Sequence, residues 1–342
     1  MAIQKNDYAF LIGIWDYPDF RSLKGPKKDI KDFSNWLIDK EKGGGLPEAN
    51  IETITSTAIP AAPIHSQIDV ALQNLYRKVS SSDEDGRRLY FYFSGHGFGI
   101  KDMDVALALA NWKLFGLRNS ALKSKAYLDE FVNWGKFKEV IFFLDCCRSP
   151  LQISALPPTV GYGVSEDAPN VGKFIAHSTR HYNAAYEALF SSDNIDIEEE
   201  YEEEYNGIFT KVLLDGLWGG ASSGIGVKAS ELKNYLDRHV KLVSNNKLKP
   251  QKAEVWNLLN DDIVFGLSEQ VAKVNITFNS ERINLIQLLS PGLDVIIEEH
   301  VNSYMWNELE LTRGAYTLID LDTQEEKTYR IRPSNTIQTI NF

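Results

Sequence analysis

Two residues stand where an open parallel sheet would place its chemistry. His96 follows the apolar run Arg88–Phe93 (RLYFYF), within Ser94-Gly95-His96-Gly97, and Cys147 follows Glu139–Leu144 (EVIFFL), within Asp145-Cys146-Cys147-Arg148. Functional groups in such sheets gather beyond the carboxyl ends of the strands. A thiolate is a nucleophile, and a nearby imidazole can take or share its proton. Glycines on both sides of His96 allow close backbone approach, and the Gly97 and Cys147 amides could form an oxyanion hole. Taken alone, Cys147 reads as a buried structural thiol and His96 as a capped loop histidine. Their joint placement on successive strand ends favours catalysis. Alternate strand residues face opposite sides, so Cys146 reads as core.

The elements that must position these groups follow from the pattern. Tyr8–Trp15, Ile51–Thr55, Arg88–Phe93, Glu139–Leu144 and Lys173–His177 read as strands. Helical periods separate them over Asp29–Leu37, Pro63–Val79, Ala126–Trp134, Phe209–Leu217 and Ala229–Val243. Runs that are apolar on both faces predict a mostly parallel sheet covered by helices on both sides. Asp262–Gly266 closes this unit. After about Ser268, segments such as VNITFN, DVIIEE and KTYRIRP alternate with period two. The expectation is an α/β domain over 1–267 and a small β-sandwich-like regulatory or binding domain over 268–342.

The residues together resemble the caspase-like cysteine proteases of clan CD, closest to the metacaspase and bacterial caspase-homologue branch. Ser94-Gly-His-Gly97 resembles the histidine motif, and Asp145-Cys-Cys-Arg-Ser149 is similar to the Asp-x-Cys-His-Ser-Gly motif, with the nucleophile at Cys147. Leu23-Lys-Gly25 with Asp29, the Ala-x-Glu pair within Ala176–Ala188, and Gly207-Ile-Phe-Thr210 extend the likeness over about residues 7–267. Arg148 and Pro150 depart from the motif and put the loop shape after Cys147 in question.

The resemblance implies a caspase-like fold, a Cys147–His96 dyad, and protein substrates bound through Arg or Lys at P1. It implies substrate binding by Asp29 and Asp145, with Ser94 alongside; two carboxylates around a pocket favour a cation. Without it, Asp29 reads as an exposed acid in a first helical turn and Asp145 as a cap on local amides. The branch also implies a regulated effector in a bacterial defence or cell-death system, with a small molecule or partner protein as activator. The competing expectation is a weak or inactive scaffold whose C-terminal β region binds a partner or signal.

Composition excludes several classes. The net charge is −11, with eight acids and no base in residues 193–204, which leaves a near-neutral remainder with no basic stripe for nucleic acid. The acidic run reads as a solvated loop. The two Cys are adjacent, which argues against a disulfide framework or zinc site and for a reducing, cytoplasmic setting. Apolar runs are too short for a membrane span, and the first residues lack a signal-peptide pattern. No cofactor is expected. Calcium finds weak support: Asp102 and Asp104 follow the histidine motif, without EF-hand spacing. The loop Ser149–Gly172 is rich in Pro and Gly and reads as a segment that orders on activation.

Overall fold

The structure is a computed structural model and describes residues 4–82, 84–101, 103–113, 120–150, 155–159, 161–190, 204–222, 226–266, 271–278, 284–291, 293–301, 305–312, 314–331 and 337–342. The acidic run 193–203 and Asp102 therefore lie outside the described residues, as do parts of the loop 149–172.

The chain opens with β1 (Asp7–Gly13), α1 (Pro26–Ile38), β2 (Ile51–Thr55), α2 (His65–Ser80) and β3 (Gly86–Ser94). Three short strands follow, β4 (Gly97–Lys101), β5 (Asp104–Ala108) and β6 (Ala121–Lys123), then α3 (Ser124–Asn133) and β7 (Phe137–Asp145). Next come β8 (Ser149–Pro150), β9 (Gly172–His177), β10 (Glu187–Phe190), β11 (Glu204–Gly207), α4 (Ile208–Asp215), α5 (Ala229–Asn246) and β12 (Glu254–Leu258).

Six strands form the central sheet in the order β12-β9-β7-β3-β1-β2. Five run parallel, and only the edge strand β12 is antiparallel. Both faces are covered, which is why these strands read as continuous apolar runs. On one face Phe10, Phe91 and Phe142 pack with Ile68 and Leu72 of α2 and Phe131 of α3. On the other, Leu11, Tyr92 and Phe143 pack with Phe33 and Trp36 of α1, Val212 of α4 and Leu236 of α5. Alternate residues of one strand thus feed two separate cores.

The expected strands and helices of this part are present, with ends shifted by a few residues. Residues 262–266, expected to close this unit, contribute a single bridge between Lys228 and Val264, and β12, lying upstream, closes the sheet. A small sheet, β6-β5-β4-β8, stands beyond the carboxyl end of β3.

Beyond residue 270 the described chain is all β. It comprises β13 (Val271–Thr277), β14 (Leu285–Leu289), β15 (Val295–His300), β16 (Met305–Thr312), β17 (Gly314–Asp320), β18 (Glu326–Ile331) and β19 (Gln338–Asn341). They form a three-stranded sheet, β16-β13-β19, and a four-stranded sheet, β15-β14-β17-β18. Val274 and Ile276 of the first and Ile286, Leu288 and Leu318 of the second share one apolar cluster. This is the arrangement of a two-sheet sandwich.

Phe91 is the centre of the aromatic stack on the α2–α3 face, with ring centroids 4.4 Å from Phe142 and 6.0 Å from Phe10. Phe91→Ala leaves a cavity that two rigid strands cannot close. Urea titration should show a loss of about 3–5 kcal/mol.

Candidate active site

Parallel pairing sets the geometry. Ser94 at the end of β3 is directly opposite Asp145 at the end of β7, and the Gly95 amide extends the ladder to the Asp145 carbonyl at 3.2 Å. Neighbouring strands lie about 4.8 Å apart. His96 and Cys147, each two residues past its paired residue, therefore leave the sheet level with one another. Both are half-buried and line one cleft of about 290 Å³ with Asp29, Ser94 and Asp145.

His96 is fixed on three sides. Its amide donates to the Tyr17 hydroxyl at 2.9 Å. Its ring sits between Tyr17 and Phe20, with centroids 4.7 and 4.8 Å away. Its Nε2 lies 2.7 Å from the Arg21 carbonyl. A carbonyl only accepts, so Nε2 carries the proton and Nδ1 holds the lone pair of the neutral ring. Burial pushes the imidazole pKa down, which favours that neutral form.

The Cys147 thiol donates to the Ala185 carbonyl at 3.3 Å and accepts from the Ala185 amide at 3.3 Å. Burial pushes its pKa up and the Asp145 charge adds to the rise, while the Ala185 amide opposes it. The resting pair is thus a thiol and a neutral imidazole, with sulfur engaged by backbone. Cys146 is buried, and burial first, then Cys147, raises its thiol well above the usual range.

Gly97 has a steric reason to be glycine. A Cβ there would lie 2.6 Å from the Cys146 sulfur and 2.8 Å from the Cys147 carbonyl oxygen. The Ala108 amide donates to the His96 carbonyl, so residues 96 and 108 form the hydrogen-bonded pair of the β4–β5 ladder. The next pair, Gly97 and Leu107, is non-hydrogen-bonded, which turns the Gly97 N–H away from β5.

Beneath this lies a pair of buried carboxyls. Asp29 accepts from Ser94 Oγ at 2.9 Å, Asn206 Nδ2 at 3.1 Å and the Gly207 amide at 3.0 Å. Asp145 accepts from the Thr210 amide at 3.0 Å and its hydroxyl at 2.6 Å. Burial raises both pKa values; the charge of Asp145 lifts Asp29 further, well above the carboxylate range, and Asp145 is pushed up to about 6. Without a cation, two full negative charges are not held comfortably here. Asp29 is 1% exposed, so it is no solvated helix-turn acid. Asp145 does meet the first turn of α4, as a cap on local amides would, while still lining the cleft.

Arg148, one of the two departures from the motif, does not line the cleft. Its side chain is fully buried, turned away from the cleft, bonded to Glu254 of β12 and to the Thr179 carbonyl at 3.2 Å, and placed over the Trp256 ring. Asp104, one of the two acids weighed for calcium, is buried against Ser124 and the Lys125 amide. No cluster of three or more metal-binding side chains occurs among the described residues.

Sequence reasoning assigned no role to several residues that shape the cleft. Glu187 bonds the Lys24 and Gly25 amides at 2.8 Å each and is an acid of the same cleft. Gln251 is buried and bridges the Ser178 carbonyl and the Tyr186 amide, which fixes the loop holding Ala185. Gly207 must be bare, since a Cβ would lie 2.0 Å from an Asp145 oxygen. The motif containing Gly207 and Thr210 was visible, and so was Glu187 in its Ala-x-Glu pair. That these residues hold Asp29, Asp145 and the cleft wall was not.

A parallel α/β sheet with a cysteine and a histidine on neighbouring strand ends is the architecture of one class of thiol peptidase. The sequence matches the caspase domain over residues 6–262, and the chain belongs to that family, peptidase C14. A probable protease from a Desulfuromonadales bacterium is 30% identical over 159 residues, a match spanning 42% of this chain and 18% of that protein. Among solved structures, caspase-1 of Spodoptera frugiperda aligns with TM-score 0.49 and 13% identity, over 77% of this chain and 90% of its own. A Geobacter sulfurreducens protein aligns with TM-score 0.44 and 14% identity, over 75% of this chain and 95% of its own. No helix among the described residues is long and apolar enough to cross a membrane.

The raised Asp145 pKa fixes the sign of a pH effect. Between pH 3.8 and about 6 the folded chain holds a proton that the unfolded chain has released, so folding stability falls as pH rises through that window. Unfolding titrations from pH 4 to 7 should show this decline in the wild type and a flatter profile in Asp145→Asn.

Proposed function

We propose that the protein is a cysteine endopeptidase that cleaves after Arg or Lys. The level placement of His96 and Cys147 above two buried carboxyls is the observation that carries this reading. A P1 guanidinium or ammonium would supply the charge the Asp29–Asp145 pair lacks, allowing both carboxyls to ionise. An Asp side chain there would add a third negative charge.

With the P1 side chain seated, the substrate displaces Ala185 from the sulfur. His96 Nδ1 takes the thiol proton as sulfur attacks the scissile carbonyl, and the S–C bond forms. The Gly97 and Cys147 amides hold the oxyanion. The C–N bond then breaks, and His96 returns the proton to the departing amine. Water, deprotonated by the same imidazole, hydrolyses the thioester and regenerates the thiol. No metal or organic cofactor is required by this scheme.

We place the protein in the cytoplasm, as a regulated effector of a defence or cell-death response. Residues 268–342 are assigned as its regulatory or partner-binding domain. One observation favours the scaffold reading: the Cys147 sulfur is bonded to Ala185 rather than to His96. Labelling of Cys147 by an arginyl electrophile decides between the two.

Cys147→Ala and His96→Ala should each abolish cleavage of an arginyl reporter, while Cys146→Ala keeps substantial activity. Equal loss in both cysteine variants, with circular dichroism unchanged, would overturn the assignment. On a peptide library, cleavage should follow Arg and Lys and not Asp. Asp29→Ala should lower kcat/KM at least about 100-fold, since a buried cation stripped of its partner loses several kcal/mol.

A further inference from the structure

A second cavity, also of about 290 Å³, lies behind the nucleophile, between the segment 179–183 and α5. It is lined by Arg180, Lys241 and Lys252, with the amides of Asn183, Asn245 and Gln251 among them, and by no carboxylate. None of the three cations has an acidic partner among the described residues, although the chain as a whole carries −11. Thr179 also lines the cavity; it is fully buried, and its hydroxyl has no hydrogen-bond partner there. The Arg180 fork, two ammonium groups and the Asn183 and Asn245 amides make up a donor set without acids. It suits a phosphoryl group, whose oxygens accept several charge-assisted bonds.

The walls of this cavity are the residues that hold the nucleophile. The Thr179 carbonyl binds the Arg148 guanidinium, and the Asn183 carbonyl accepts from the Arg148 amide at 2.9 Å. Gln251 faces the cavity and bonds the Tyr186 amide, next to the Ala185 backbone that engages the Cys147 sulfur. We propose that this cavity is an effector site for a small soluble ligand carrying two or more phosphates, coupled to Cys147 through segment 179–187. A ligand that draws Arg180 and Asn183 together necessarily works on the backbone on both sides of Arg148. By linkage, the state of the thiol and the affinity of the cavity then depend on each other.

The test uses the full chain and needs no peptidase activity, so its failure is separable from failure of the proposed reaction. Pyrophosphate is titrated at constant ionic strength, with sodium chloride as the matched control and ADP in a parallel arm. Pyrophosphate should raise the thermal unfolding midpoint by about 3 °C or more near saturation. It should also change the rate of iodoacetamide alkylation at Cys147, read by mass spectrometry, by about fivefold or more. A larger ADP response would mean that a nucleoside is recognised as well; an equal one, that the phosphates alone are read. The variant carrying Arg180→Gln, Lys241→Gln and Lys252→Gln alters only exposed side chains and should lose both responses. No shift beyond the chloride control, or an undiminished shift in the variant, would overturn the site. A shift with unchanged alkylation would overturn its coupling to the thiol.

Discussion

The register between β3 and β7 is the constraint on which the rest depends. Because Ser94 faces Asp145, everything that leaves the two strands does so in step: Gly95 with Cys146, His96 with Cys147. A slip of one residue would turn Phe91 and Phe142 out of their shared core and at the same time separate imidazole from thiol. The aromatic packing of the sheet therefore holds the placement of His96 beside Cys147 as well as the fold. The same register makes Ser94 and Asp145 near neighbours, which brings a hydroxyl and a carboxyl to the floor of the cleft.

That floor is unusual in its electrostatics. Two carboxyls are buried together and met by neutral donors from Ser94, Asn206, Gly207 and Thr210. Neutral donors ease burial without cancelling charge, which is why both pKa values remain high. The donors from Asn206 to Thr210 come from the end of β11 and the start of α4. The cleft is thus closed by chain that comes well after both reactive groups in sequence.

Much of this could be read from the sequence, for definable reasons. Strands buried on both faces advertise themselves as apolar runs, so the five parallel strands were legible, and so were His96 and Cys147 at two of their ends. The antiparallel strand β12 was not, because Glu254 and Asn257 break its run and it lies at an edge. The small sheet β6-β5-β4-β8 was missed too; its strands have two to five residues, and glycines interrupt β4. In the β region, β14 escaped notice because Leu-Ile-Gln-Leu-Leu lacks clean alternation. Contacts distant in sequence, such as Glu187 with Gly25 or Gln251 with Tyr186, left no local pattern to find.

Arg148 and Glu254 stand 106 residues apart, yet one belongs to the loop that carries Cys147 and the other to the edge strand that completes the sheet. A ribosome making this chain releases His96 and Cys147 long before residue 254 emerges. Until then Arg148 lacks Glu254, and Gln251 is not there to hold segment 178–186. The nascent chain thus holds both reactive groups before it holds the frame that aligns them. Their alignment waits for the edge strand, a delay written into the order of synthesis.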